Sequence, residues 1–403
     1  MKEETFGTSA FKANSHAFYA RLRAEEPVRR VQMAGNHSAW LVTRYDDVVS
    51  VLKDERFVKD RFRSLRPEHT AKLPWMPKAF EPLAHNMLDQ DPPDHTRLRE
   101  LVHKAFTPRM VEAMRDRMQR LADELLDAAE THGRTDLIRD YALPIPTTII
   151  AEMLGVDPHD RHKFHRWTSA LVSADYSKLG IVRMVPSFLG LRRYVKDVVA
   201  RRRAKPDDDL VSALVQAKEA GDQLSEDELV AMVFLLIIAG HETTVNLIGN
   251  GALALMRHPE QMERLRDDPA LMKTAVEEML RYEGPLETAT ERFAREDISV
   301  AGTTIPAGSL VLAVLASANR DERQFPRADA LDLSRADNKH VAFGFGIHYC
   351  VGAPLARLEA QIAISRLLAR CGDLKLAIAP ERLRWKRGMI LRGLESLPVN
   401  LEK

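Results

Sequence analysis

Cysteine is nearly absent from this chain: Cys350 and Cys371 are the only two among 403 residues. Two thiols cannot build a disulfide framework, and no CxxC pair occurs, which fits a reducing compartment. An excess of one charge is missing too, with 59 Lys plus Arg against 58 Asp plus Glu, a net +1. Nucleic-acid binding through an overall basic surface gets no support from that balance, although a local patch stays open. Apolar runs are short: LVAMVFLLIIAG, residues 229–240, is the longest at 12 residues, whereas a membrane span takes about 20. The opening MKEETFGTSAFKANSHAFYA has no apolar signal-peptide core. The expectation is a soluble, cytoplasmic, monomeric protein with no membrane span.

What is present is helical periodicity. Hydrophobic residues make up 45% and charged residues 29%, an ordinary globular composition with a sizeable core. PRMVEAMRDRMQRLADELLDAAE (108–130) repeats apolar residues every three or four positions and predicts one amphipathic helix. The segment from Ser225 opens with a capping-box pair, Ser225 with Glu228, and must stop near Pro259. Roughly 33 residues at 1.5 Å each would span about 50 Å. Its first half is apolar all round, which predicts passage through the core. Strand signals cluster in AWLVTRY and in ISVAGTTIPAGSLVLAVLASANR, the latter reading as hairpins. RRRAKPDDDL (201–210) reads as a solvated connector.

The chemistry-bearing residues lie in a few short stretches. AFGFGIHYCVG (342–352) puts Cys350 in a glycine-rich loop directly before the helix-like APLARLEAQIAISRLL. A lone cysteine is ordinarily a buried structural thiol. Here Gly344, Gly346 and Gly352 free the backbone to aim amide N–H groups at the sulfur, and with the following helix start they favour a thiolate. With no second cysteine or ligand cluster it makes a poor zinc site and a suitable single axial ligand for haem iron. Cys371 lacks that setting and reads as a capping-region thiol. AGHETT (239–244) sets Glu242 and Thr243 inside an apolar helix, where unpartnered polar groups are costly, and Gly240 would let the helix open around a small ligand. A zinc-protease reading of His241–Glu242 fails because position 245 is valine. His95 and Arg99 in HTRLR lie four apart on one helix face and suit an anionic group. Glu278 and Arg281 in EEMLR have i, i+3 spacing, common on any helix surface.

Phe343, Gly346, His348, Cys350 and Gly352 resemble the haem-binding signature of cytochromes P-450, and AGHETT, EEMLR and HTRLR resemble further family stretches in the expected order. The resemblance implies a mainly α, triangular-prism fold with minor β-sheets and one haem domain over residues 1–403. It implies haem b ligated by Cys350, with His95, Arg99, Arg292 and His348 on its propionates and Phe343, Gly346 and Gly352 shaping the loop. Glu242 and Thr243 become the acid–alcohol pair that delivers protons during oxygen activation. Glu278, Arg281 and Arg335 become a buried structural cluster.

HNMLDQDPPDHTRLR, AGHETTVNLIGNG and RYEGPLETAT resemble more narrowly the bacterial branch that contains macrolide and other polyketide hydroxylases. The implied activity is hydroxylation of a bulky hydrophobic molecule: a macrolide or polyketide, steroid, terpenoid or fatty acid. O2 is the co-substrate, and NAD(P)H electrons arrive through a ferredoxin or flavodoxin and its reductase. A peroxide-driven haem-thiolate peroxygenase and a non-enzymatic haem-based sensor are the alternatives. Substrate walls are expected at residues 60–90, 168–190, 235–243, 285–290 and 389–391, with Met87, Leu88, Leu171, Val172, Leu286, Ile390 and Leu391 as apolar contacts. Asp89, Asp91 and Glu287 are candidates for receiving a cationic substituent. Arg97, Lys104 and Arg109 are expected to steer an acidic electron carrier.

Overall fold

The computed structural model describes residues 6–33, 38–60, 85–131, 133–172, 178–219 and 222–402. Helices dominate, and the sheets are small. The chain divides into two compact units, Met1–Leu73 with Arg117–Leu143 and Thr243–Lys403, and Pro74–Asp116 with Pro144–Glu242. The division falls inside one continuous helix, between Glu242 and Thr243.

That helix, Glu226–Arg257, is the longest described. Its start is fixed by the reciprocal cap: the Ser225 amide donates to Glu228 Oε2 at 2.8 Å and the Glu228 amide to Ser225 Oγ at 3.3 Å. Glu226, Asp227 and Glu228 also place negative charge on the positive end of the helix dipole. Pro259 has no amide hydrogen, so a new helix, Pro259–Asp267, begins there instead. By length and mean hydropathy the long helix would be capable of crossing a bilayer, and 61% of its most apolar window is buried within the protein. Packing against it is close at Gly249, where a Cβ would come within 2.3 Å of Ile138 Cδ1.

In the first unit a five-stranded sheet runs in the order Val28–Gln32, Ser38–Val42, Leu310–Ala313, Arg292–Ala294, Phe57–Val58. Around it Val42, Val48, Val51, Leu52, Phe57, Ile298, Val311 and Val341 form an apolar core. The glycine-rich stretch after residue 298 does not continue as successive hairpins. Ile298–Val300 and Thr303–Ile305 do pair antiparallel. Leu310–Ala313 instead leaves to pair in parallel with Ser38–Val42, far away in sequence. The amphipathic run 108–130 is also two helices, Pro108–Ala113 and Arg115–Glu130. Met114, at φ −83° and ψ −8°, bonds back to Val111 and shifts the register. In the second unit the connector at 201–210 is more than a solvated run: Arg202 pairs with Asp209, which caps the helix Leu210–Gln216.

Candidate active site

The Cys350 loop is closed by its own backbone, the Cys350 amide donating to Phe343 O at 3.0 Å. Gly346 sits at φ +72°, and a Cβ there would stand 2.9 Å from Leu52 O, so glycine is required on both counts. The chain then enters the helix Ala353–Arg370 with Pro354 in its first turn. This places Cys350 three residues before the helix, where amide dipoles favour a thiolate.

A second-layer clamp, invisible in the sequence motifs, holds the loop. Arg357, seven residues past the cysteine on that helix, lies 4.4 Å over the Phe343 ring and bonds Glu277 at 2.7 and 2.8 Å. His340 completes the set at 3.1 Å from Glu277. Burial would raise the Glu277 carboxyl, but Arg357 and His340 hold it down at about 2. Its neighbour Glu278 is fully buried with Arg281, which bonds it at 2.7 and 2.8 Å. Arg335 Nε reaches both Glu278 oxygens at 3.1 and 3.2 Å, and Asn338 adds a further bond at 3.1 Å. Arg281 also donates to the carbonyls of Asn319, Ala328 and Ala330. The cluster thus ties the segment leading to the cysteine loop onto the helix Met272–Tyr282.

Cys350 is exposed, and the same loop carries three exposed large apolar side chains. Phe345, Ile347 and Tyr349 are 37%, 45% and 40% exposed. Arg292, buried in its strand, donates to Phe57 O at 3.3 Å, and His348 is half-buried. One exposed sulfur in a loop with exposed apolar side chains, with no cluster of three metal-ligating side chains among the described residues, fits a flat apolar prosthetic group that supplies its own equatorial ligands better than a bare ion.

The long helix stays helical through Gly240 instead of opening there, and a Cβ on Gly240 would find only ordinary contact with Ile150. Accessibility arises differently. Midway along the helix, Ile238 is 41% exposed, Ala239 is exposed, and Gly240, Glu242 and Thr243 are half-buried. His241 turns inward, its Nδ1 2.6 Å from Ile237 O. Thr244 also turns inward, toward Glu359 on the post-cysteine helix, a residue the sequence motifs do not single out. Burial pushes the Glu359 carboxyl up to about 8 despite the Thr244 hydroxyl, and neither oxygen makes a well-formed hydrogen bond.

His95 and Arg99 lie on the helix Asp94–Ala105, the first buried and the second half-buried. Met87 is buried and Leu88 half-buried just before it. Leu286 and Leu391 face each other across an isolated antiparallel bridge, both half-buried, with Ile390 alongside. Residues 61–84 and 173–177 and the side chains of Leu171 and Val172 lie outside the described residues. Two expectations need correction. Glu287 is buried against Arg392, whose Nη1 lies 3.0 Å away, so no cationic ligand can reach it. Arg97 pairs with Glu228, so its charge is not available for steering.

Comparison with known proteins adds the family. The cytochrome P450 family model matches residues 190–375. A vitamin D(3) 25-hydroxylase of Pseudonocardia autotrophica is 44% identical over 398 residues, covering 98% of this chain and 95% of that protein. The chain belongs to the cytochrome P450 family. The 6-deoxyerythronolide B hydroxylase of Saccharopolyspora erythraea is 40% identical over 403 residues, covering 98% of each chain. Among solved structures, the Bacillus subtilis bacillaene polyketide synthase cytochrome P450 PksS superposes with a TM-score of 0.91 at 42% identity, covering 98% of each chain. This P450 is accordingly an oxygen-incorporating oxidoreductase of the haem-thiolate class, with the mainly α P450 fold and its small sheets. It uses O2 and electrons derived from NAD(P)H.

Proposed function

We propose that this P450 hydroxylates a bulky apolar small molecule, a polyketide or macrolide in the first instance, with steroids, terpenoids and fatty acids as the wider class. The observation that carries the reading is the accessible window Ile238–Thr243 in the long helix, apolar at one end and carrying an acid–alcohol pair at the other. Within the first unit the half-buried pair Leu286 and Leu391 supplies an apolar wall, and the relatives named vitamin D(3) 25-hydroxylase and 6-deoxyerythronolide B hydroxylase support the substrate class.

Cys350 would ligate the haem iron, in a loop shaped by Phe343, Gly346 and Gly352. His95, Arg99, Arg292 and His348 would hold its propionates. The haem, when bound, supplies the oxidising chemistry at an unactivated C–H bond. The protein's part is position, exclusion of water and proton supply. The Thr243 hydroxyl holds a water by accepting and donating one hydrogen bond each, and the Glu242 carboxyl exchanges protons with solvent on one side and that water on the other. Glu278, Arg281 and Arg335 maintain the fold behind the loop. Met87, Leu88, Leu171, Val172, Leu286, Ile390 and Leu391 contact substrate. The chain works as a single cytoplasmic haem domain served by a ferredoxin or flavodoxin and its reductase.

Titration of macrolides, steroids and fatty acids against the haem Soret band, followed by turnover with each binder, tests the substrate class. Thr243→Ala is expected to keep consuming NAD(P)H while releasing hydrogen peroxide in place of product. Equal product per NAD(P)H in variant and wild type would sink the proton-supply role.

A further inference from the structure

Behind the Leu286–Leu391 wall lies a set of buried charges that the mechanism does not use. Strand alternation turns Glu287 and Arg392, the next residue on each side of the bridge, away from the face that Leu286 and Leu391 occupy. There Arg392 bonds Glu287 at 3.0 Å, pairs with Glu283, and stacks 4.3 Å over Trp385. The same guanidinium reaches the N-terminal helices, Ser9–Ala13 and Ser15–Glu25, at Lys12 O (3.1 Å) and Ser15 Oγ (3.0 Å).

Lys12 returns the contact. Its side chain is fully buried, and Nζ donates to Lys386 O at 2.8 Å and to Leu391 O. Those two carbonyls sit at opposite ends of the turn that carries Ile390. Gly388 N donates to Gly7 O at 2.9 Å and Trp385 N to Ser9 Oγ at 3.0 Å, so the N-terminal segment holds the turn at four points. From the other side Glu287 N bonds Ile390 O at 2.8 Å and Thr288 Oγ1 donates to Met389 O at 3.1 Å. Burying an ammonium is unfavourable, and burial lowers the Lys12 pKa to about 8 even with Glu287 opposing. An apolar side chain would fill the same space without that penalty. What it would not do is fix two carbonyls of one turn at a set separation.

We infer that Lys12 is a positioning residue for substrate selection: through the carbonyls of Lys386 and Leu391 it sets the height of Ile390 and Leu391 against Leu286. The inference rests on the proposed reading of Leu286, Ile390 and Leu391 as a substrate wall. Sequence changes in the N-terminal helix therefore alter which apolar substrates are accepted, without touching the haem or the proton path.

The test uses holoenzyme and three probes of different shape, erythromycin, progesterone and myristic acid, with dissociation constants read from the haem Soret shift. Lys12→Met keeps the stem and removes the donor. It is expected to leave the carbon monoxide difference spectrum intact and to change the ratios among the three constants on the order of 3- to 10-fold. Amide exchange over residues 386–391 is expected to accelerate about tenfold. Ser9→Ala is expected to act in the same direction and more weakly, and it decides the matter by the same criteria if Lys12→Met does not fold. Leu391→Ala separates the two levels of the argument. If Leu391→Ala shifts the ratios and Lys12→Met does not, the positioning role is overturned. If neither does, the substrate-wall reading falls and takes this inference with it. A uniform weakening of all three probes by Lys12→Met would mark a merely structural residue and overturns the proposal as well.

Discussion

The two cysteines differ in everything that decides reactivity. Cys371 is the C-cap of its helix, buried, with its thiol pushed up to about 11 by burial and by Glu130. Cys350 is exposed in a loop of amides ahead of a helix start. Cys350→Ser is therefore expected to lose the thiolate-type carbon monoxide spectrum, while Cys371→Ser retains it; the reverse result would undo the assignment. Glu278 makes a second residue-scale case. Its removal strands the buried Arg281 guanidinium and takes the carboxylate from Arg335 as well. Glu278→Ala is expected to cost about 3–5 kcal/mol of unfolding free energy, because breaking a buried pair leaves uncompensated charge. Guanidinium denaturation followed by the Soret band measures it, and a loss below about 1 kcal/mol, the size of a surface pair, would refute the account. The spacing of Glu278 and Arg281 was legible in the sequence. The partners that give the pair its weight were not: Asn338, the Asp332 amide and three carbonyls come from segments 38 to 60 residues away. Arg357 and Glu277 escaped notice for the same reason.

Helix ends were legible because their causes are local, as Ser225, Glu228 and Pro259 illustrate. Strand partners were not, because the parallel pairing of Ser38–Val42 with Leu310–Ala313 joins segments no local pattern connects. The contact between the long helix and the post-cysteine helix is likewise non-local, and it buries Glu359 beside Thr244. A carboxyl with a folded pKa near 8 binds more protons folded than unfolded between its unfolded value of 4.5 and about 8. Its contribution to stability is thus fully present below that unfolded value, declines as pH rises, and is lost through pH 8. At about 1.4 kcal/mol per unit, wild type should lose on the order of 3 kcal/mol more than Glu359→Gln between about pH 5 and pH 8. Thermal or urea melts at matched ionic strength across that range give the comparison. Parallel pH profiles for the two proteins would mean that Glu359 is ionised in the folded state.

At the scale of the whole molecule, a net charge of +1 offers an electron carrier no general attraction, so any steering must come from a local patch. The helices Asp94–Ala105 and Pro108–Ala113 carry the candidate cations. Of these, Arg97 is committed to Glu228, and Arg99 is half-buried close enough to His103 to lower its pKa together with burial. Lys104 and Arg109 are exposed at the surface. Reversing both, Lys104→Glu with Arg109→Glu, is expected to slow the first electron from an acidic ferredoxin on the order of tenfold at low salt. The difference should shrink as ionic strength approaches 0.1 M, where the screening length is about 10 Å. Substrate-induced Soret shifts should not change. Arg97→Glu should behave differently: it faces Glu228 with like charge at the first turn of the long helix and should lower stability before it affects electron transfer. Stopped-flow reduction under carbon monoxide reports the first-electron rate directly. A double reversal with an unaltered rate at low ionic strength would move the docking surface elsewhere on the protein.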